Sequence, residues 1–350
     1  MSSLWFQRTQ TRTSNSADSI REHPSNLASI LAAAGSELPL LAPENLSLDK
    51  TLGKGSSFVV NRELYSRFPD TDPYYVAVKR ISVADQPPRR LQQHYDKVVC
   101  ELRVLTHQSL KDNQYIVKIL AYGWTGSPKG RWPYLVVDYS NYGTLKEYLQ
   151  RIETTWNDRR ELGLDVALGL KALHESKIVH GDVKPSNILV FEAQGLIRGQ
   201  MARISDFGGA IFDIDDNHAN RYSGTSIYNA PEQEQRGKYK LERVFALEQL
   251  YQADIYSFGI TLWEILKQGK SYMDDKWFSD GETRMELLSR IHEEEEDPLL
   301  RRAEAFCDTI FWKTPIYDAI LDCFRMTLRD KASQRSDITQ IVGALTHHNL

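Results

Sequence analysis

The stretch HGDVKPSN, His180 to Asn187, sets Asp182, Lys184 and Asn187 at short fixed offsets directly after an apolar segment of helical spacing. A second acidic string, ISDFGG from Ile204 to Gly209, follows NILVF after a connecting loop. Both read as strand edges that end in turns, so Asp182, Asn187 and Asp206 are expected to converge on one cleft. An asparagine amide oxygen and one carboxylate suit a hard cation such as Mg²⁺, which keeps its waters and shares phosphate oxygens. The other carboxylate, free of the metal, suits a general base. A lone aspartate is more often a cap or a turn residue, but a trio in this setting is not.

Upstream, LGKGSSFVV (Leu52 to Val60) puts Gly53 and Gly55 in a strand, turn, strand setting. Glycines there let backbone N–H groups approach a phosphate, and Lys54 adds charge nearby. Two glycines in a hairpin usually make only a turn, and no G-x-x-x-x-G-K-[ST] string opens a helix here. VAVK (Val76 to Lys79) alternates like a strand and ends in a lysine that would ordinarily be solvated. The next helical segment offers it Glu101, within CELRVL, with Leu102 and Leu105 on the apolar side. A lysine held by a helical glutamate can reach the α- and β-phosphates of a nucleotide.

The elements that must position these groups fall into two kinds. From about Leu46 come β-type runs, FVVNREL and YYVAVKRI, then the helical LQQHYDKVVCELRVLTHQ, then IVKILAYGW and YLVVDY as further strands. That order predicts a small antiparallel sheet with one long helix packed on it. After NYGTL the pattern turns helical, as in LGLDVALGLKALHES and DIYSFGITLWEILKQG, the core of a larger second lobe. Residues 1–40 are rich in Ser, Thr, Asn and Gln and read as a flexible leader outside the compact fold. Within them LASILAAAG (Leu27 to Gly35) reads equally as a short amphipathic helix or a tethered arm that binds a regulatory protein partner. The acidic run EEEED, Glu293 to Asp297, reads as a solvated helix face or loop.

Composition narrows the classes. A net charge of -4 spread over 350 residues gives no bulk attraction to nucleic acid or to a membrane surface. No apolar run approaches the roughly 20 residues that cross a bilayer, so membrane insertion is not expected. Cys100, Cys307 and Cys323 are odd in number and widely spaced, which argues against a disulfide framework and for a reducing, cytoplasmic setting. All three read as core residues, with Cys100 placed near the nucleotide by its neighbour Glu101.

Taken together, the strings GKGSSFVV, VAVK, Glu101, HGDVKPSN, DFG, APE (Ala230 to Glu232), DIYSFG and Arg335 occur in the order of the eukaryotic protein kinase family, which this chain resembles from about Leu46 to Ala344. The resemblance implies an α+β, two-lobed kinase domain over 46–344, with 46–140 the smaller lobe and hinge and 141–344 the larger lobe. ATP would lie between the lobes, against Gly53, Gly55, Val60, Ala77 and Leu189, with hinge contacts from the backbone of Asp138, Tyr139 and Ser140 and Val137 behind them. Lys79 would pair the phosphates with Glu101 as its partner, Asp182 would be the base, and Lys184 would steady the transferring γ-phosphoryl group. Asn187 and Asp206 would hold Mg²⁺. Lys184 followed by Pro185, and Thr225 within GTSIYNAPE, resemble the Ser/Thr-specific members, so protein hydroxyls of Ser or Thr are the implied acceptors. Asp254 would anchor the catalytic loop from the large lobe, and Glu232 would pair with Arg335.

The chain departs from the family at three kinds of place. Gly181 stands where the family usually carries an arginine that pairs with a phosphate on the activation segment. The expectation is that basal activity needs no phosphate at Tyr222, Ser223, Thr225 or Ser226. Phe58 takes the place of the third glycine of the nucleotide loop. EAQGLIRGQMA lengthens the hairpin between Asn187 and Asp206, and residues 233–252 form a further insertion, read as cover for the helical lobe or a docking surface. A pseudokinase, a nucleotide-binding scaffold without transfer, is the alternative reading, but Lys79, Glu101, Asp182, Asn187 and Asp206 are all present. APE speaks against a small-molecule kinase.

Overall fold

The computed structural model describes residues 24–55, 58–66, 72–82, 88–127, 130–212, 222, 224–234, 247–311, 314 and 316–346. Five antiparallel strands build the smaller lobe: β1 (Leu46–Lys54), β2 (Phe58–Tyr65), β3 (Tyr74–Ile81), β4 (Ile119–Ser127) and β5 (Gly130–Asp138), in the order β1-β2-β3-β5-β4. The two-residue period of β3 decides what faces the cleft. Val76 and Val78 bury on one face with Tyr134 and Val136. Ala77 and Lys79 take the other, opposite Val137 and Leu135 of β5.

Before that sheet comes helix α1 (Pro24–Ala34), and between β3 and β4 comes α2 (Pro88–Leu105). Leu91, Tyr95, Val98 and Leu102 recur at helical spacing and bury against Phe58, Ile81, Trp132 and Leu135 of the sheet. Glu101, next to Leu102, is thereby turned toward β3.

The larger lobe holds α3 (Leu145–Arg151), α4 (Trp156–Glu175), α5 (Leu247–Leu266), α6 (Arg284–Glu294), α7 (Pro298–Ile310), α8 (Tyr317–Thr327) and α9 (Ile338–Thr346). Four short strands lie at its upper surface: β6 (Ile178–Val179), β7 (Ile188–Glu192), β8 (Gln200–Ile204) and β9 (Ile211–Phe212), paired β6 with β9 and β7 with β8. Every residue of α5 from Ala253 to Leu266 is buried, the pattern of a helix enclosed by its own lobe. Thr144 and Thr155 open α3 and α4 through reciprocal capping bonds with Glu147 and Asp158. The fold is therefore the α+β two-lobed arrangement expected.

Three local expectations need revision. Residues 1–23 of the expected leader lie outside the described residues, but from Pro24 the chain does not lie free of the fold. Proline at the first helical position and Gly35 at φ +67° just past the last one bound α1. Its Ile30 and Ala34 bury beside Leu91, Tyr95 and Leu102 of α2, because apolar residues at helical spacing find an apolar face to cover. Secondly, IVKILAYGW is not one strand. Val117 instead donates its N–H to the Ile204 carbonyl at 2.9 Å, tying the smaller lobe to β8, and β4 starts only at Ile119.

The insertions divide as well. Residues 193–199 do form a longer loop on the β7–β8 hairpin, and Arg198 pins it to Asp165 of α4 at 2.5 Å. Residues 235–246 of the second insertion lie outside the described residues, while its end, from Leu247, is the first turn of α5. The EEEED run closes α6 and leads to Asp297, which accepts the N–H of Asp330 at 2.8 Å and an N–H of Arg329 at 2.9 Å.

Candidate active site

Strand β3 and helix α2 bring the first pair together. Lys79 Nζ lies 2.6 and 2.7 Å from the two Glu101 carboxylate oxygens and 3.4 Å from Asp206 Oδ1. Burial opposes the charge on Lys79, yet the two carboxylates outweigh it and hold the ammonium above its ordinary value. Asp206 is held below the usual carboxylate value, chiefly by Lys79. Glu101 is raised by burial, with the Asp206 charge adding to it against the pull of Lys79.

The loop between β6 and β7 is hung from α5. Asp254, fully buried, accepts the backbone N–H of His180 at 2.7 Å and of Gly181 at 3.0 Å. His180 accepts the Asp182 N–H at Nδ1, so its Nε2 carries the ring hydrogen that meets the Ser205 carbonyl at 3.1 Å. Its ring stands edge-on to Phe207, 5.4 Å between centroids. These contacts fix Asp182 relative to the strand end that carries Asp206.

Both oxygens of Asp182 are occupied. Oδ1 accepts the backbone N–H of Thr225 at 2.9 Å and its hydroxyl at 2.7 Å, while Oδ2 accepts Lys184 Nζ at 2.6 Å and Asn187 Nδ2 at 2.8 Å. Lys184 also donates to Thr225 Oγ1 at 2.6 Å. Asn187 spends its amide N–H groups on Asp182, leaving its amide oxygen as the atom able to ligate a cation. Ser205 ties the two halves, donating its N–H and hydroxyl to the Asn187 carbonyl at 2.9 and 2.8 Å. Asp206 then turns at φ +64°, an uncommon conformation for a residue with a Cβ, held here by its surroundings.

A cavity of about 690 Å³ opens above this network, between the lobes. Gly53, Gly55, Val60, Ala77, Lys79, Asp138, Tyr139, Ser140 and Leu189 all line it, as do Val137, Glu101, Asp182, Asn187 and Asp206. Lys184 does not line it and lies instead on the Asp182–Thr225 side. The walls are apolar where a planar ring would fit and charged where phosphates would, the usual division in a small-molecule site. Gly55 donates its N–H to the Phe58 carbonyl at 2.8 Å, closing the hairpin, and the Phe58 ring sits 5.0 Å from Lys79 Nζ. Ser56 and Ser57 lie outside the described residues.

Cys100 is not on the cavity wall. Its Sγ points to the Ala210 carbonyl at 3.1 Å, and burial pushes the thiol up to about 12. Lys97, by contrast, does line the cavity, and Arg203 holds the Asp138 carboxylate at 3.0 Å behind the hinge. Neither had a signal in the sequence: Arg203 meets its partner 65 residues away only through the fold, and no string of the sequence places Lys97 at the cleft. Arg335 makes a two-pronged pair with Glu232 at 2.7 and 2.9 Å and caps three backbone carbonyls.

The family model for the protein kinase domain matches residues 46–345. The chain belongs to the protein kinase family. As a kinase-family chain it is 29% identical over 281 residues to Receptor protein kinase WSS1 of Oryza sativa subsp. japonica, covering 76% of this chain and 27% of that protein. It is 27% identical over 325 residues to Cysteine-rich receptor-like protein kinase 26 of Arabidopsis thaliana, covering 88% and 43%. A third relative, Probable serine/threonine-protein kinase kinX of Dictyostelium discoideum, is 27% identical over 246 residues, covering 68% and 20%. The chain thus spans less than half the length of these relatives.

Proposed function

We propose that this chain is an ATP-dependent Ser/Thr protein kinase whose catalytic loop works without the usual arginine. The observation that carries the reading is that Lys79, paired with Glu101, and Asp182, held by Lys184, Asn187 and Thr225, both line one cavity together with Asn187 and Asp206. Lys79 would pair the α- and β-phosphates of ATP, with Gly53 and Gly55 admitting them and the hinge from Asp138 to Ser140 holding the adenine. The acceptor hydroxyl would attack the γ-phosphorus as the bond to the β–γ bridging oxygen breaks and ADP leaves with the electron pair. Asp182 would take the hydroxyl proton, and Lys184 would neutralise charge on the transferring group.

The amide oxygen of Asn187 and the carboxylate of Asp206 form a sparse all-oxygen pair that fits Mg²⁺, a cation that keeps most of its waters. When bound it supplies positive charge to the phosphate oxygens. Among the described residues no cluster of three His, Cys, Asp or Glu side chains competes for it. A Ser or Thr acceptor is supported by Lys184–Pro185 and by Thr225 bridging Lys184 and Asp182. All three cysteines are free thiols, which supports a reducing compartment, and the cytoplasm is our proposed location. Among the described residues no helix is long and apolar enough to cross a membrane.

The test is transfer of labelled γ-phosphate from ATP and Mg²⁺ to Ser or Thr of a basic protein, with Asp182→Asn and Lys79→Met alongside. Transfer lost in both variants is expected; nucleotide binding without transfer would replace this reading with that of a pseudokinase.

A further inference from the structure

Asp254 holds more than the catalytic loop. Besides the His180 and Gly181 amides it accepts the hydroxyl of Tyr222 at 3.1 Å, and that hydroxyl lies 3.3 Å from Ser257 Oγ. Tyr222 belongs to the segment that runs from Asp206 to APE, far from α5 in sequence. Its ring joins a small apolar cluster with Val179 and Leu250, beside Ile211, Leu247 and Tyr251. One buried carboxylate therefore ties the backbone of the catalytic loop to the activation segment. Burial, with the Asp254 charge behind it, pushes the Tyr222 hydroxyl well up, so it stays a donor at neutral pH.

The segment beside the tie is closely packed at Gly224. Gly224 is packed so closely that a Cβ would stand 2.8 Å from the Tyr222 ring and 2.9 Å from the Gly181 carbonyl oxygen. Thr225 follows and makes its two bonds to Asp182. From Asp254 through Tyr222 and Gly224 to Thr225, the chain is thus fixed at both ends to the loop that carries Asp182. The sequence lacks the arginine that would let a phosphate order this segment, and the site of that arginine leaves no room for it. Gly181 has φ +79°, and a Cβ there would meet the Gly209 carbonyl oxygen at 2.7 Å.

We infer that Tyr222 is a positioning residue, an internal latch that orders the activation segment through Asp254 and Ser257 in place of the arginine–phosphate contact. This rests on the kinase reading above but is separable from it. A free, phosphorylatable Tyr222 is incompatible with the role, because a phosphate on that oxygen would face the Asp254 carboxylate.

The experiment compares the intact chain with Tyr222→Phe, which keeps the ring and removes only the hydroxyl. Hydrogen exchange is read on peptides spanning Gly181 and Thr225, beside ATP affinity and steady-state transfer to a basic protein. Loss of one bond to a charged acceptor corresponds to roughly a tenfold or larger fall in kcat/KM for the protein substrate. Faster exchange at both amides is expected with it, while ATP affinity stays near that of the intact chain and the melting temperature falls by only a few degrees. Phosphatase treatment of the intact chain is expected to leave its activity unchanged.

Exchange and kcat/KM like those of the intact chain would overturn the latch. So would activity of the intact chain that disappears on dephosphorylation, or ATP affinity and melting temperature that collapse together, the mark of a merely structural bond. An intact chain that transfers no phosphate at all sinks the kinase reading instead, and the exchange measurement still decides the latch.

Discussion

At Gly181 the backbone occupies the left-handed region, φ +79°, with the Gly209 carbonyl oxygen 2.7 Å from where a Cβ would be. Any L-residue there carries the conformational penalty plus the clash, so Gly181→Ala is expected to lower stability by about 1–3 kcal/mol. Urea denaturation measures it, and a change within a few tenths of a kcal/mol would contradict the geometry. A second residue-scale expectation concerns pH. Burial raises the Asp165 carboxyl from its ordinary 3.8 to about 6, against the pull of Arg198. A group raised on folding adds stability that is complete below its unfolded value and lost as pH climbs through its folded one. Relative to Asp165→Asn, the chain should lose stability between pH 4 and pH 6, at no more than about 1.4 kcal/mol per unit. Thermal melts of both across that window check the sign; a difference that grows with pH would refute it. The groups legible in the sequence, such as Asp182, Asn187 and Asp206, sit in strings whose neighbours fix their setting. The bonds of Tyr222 to Asp254 and of Arg203 to Asp138 were not legible, because each partner is brought close only by the fold.

Among the elements, α1 bears most directly on the site. It lies on α2, the helix that carries Glu101, with Ile30 fully buried and Thr106 Oγ1 donating to the Ala33 carbonyl at 2.8 Å. The segment after it continues the brace, since Tyr134 donates its hydroxyl to the Leu41 carbonyl at 2.6 Å. Ile30→Ala is expected to cost about 2–5 kcal/mol of stability by leaving a cavity. Because α2 loses part of its support, KM for ATP should rise as well. Denaturation and ATP-dependent kinetics measure the two, and a variant with both unchanged would show that α1 does not brace α2. LASILAAAG carries the apolar spacing of such a helix, but its polar surroundings gave no sign that a partner face existed on α2. Strand β4 shows the opposite failure: the largely apolar run IVKILAYGW is split because Ile116 and Val117 pair with Ile204 at the end of β8 and only the part from Ile119 pairs with β5. Apolar periodicity reports burial and not which neighbour does the burying.

For the whole molecule, contacts that join the two lobes include Lys79 to Asp206 across the cleft, Val117 to Ile204 behind it, Cys100 to the Ala210 carbonyl, and the hinge held by Arg203 on Asp138. The two-lobed fold was readable because strand-forming and helix-forming stretches are segregated along the chain and the site strings fall at their junctions. Of the insertion at 233–252, read from its helical periodicity, the end from Leu247 opens α5, and residues 235–246 lie outside the described residues. As proposed above, this assembly transfers phosphate with Gly181 in its catalytic loop. The most direct measurement is γ-phosphoryl transfer from labelled ATP and Mg²⁺ to Ser and Thr of a basic protein by the intact chain, Asp182→Asn and Lys79→Met. Losses of roughly a hundredfold or more are predicted for each variant, on the scale at which a positioned base or charge contributes. Transfer that survives in Asp182→Asn, or tight ATP binding by an intact chain that transfers nothing, would contradict the account.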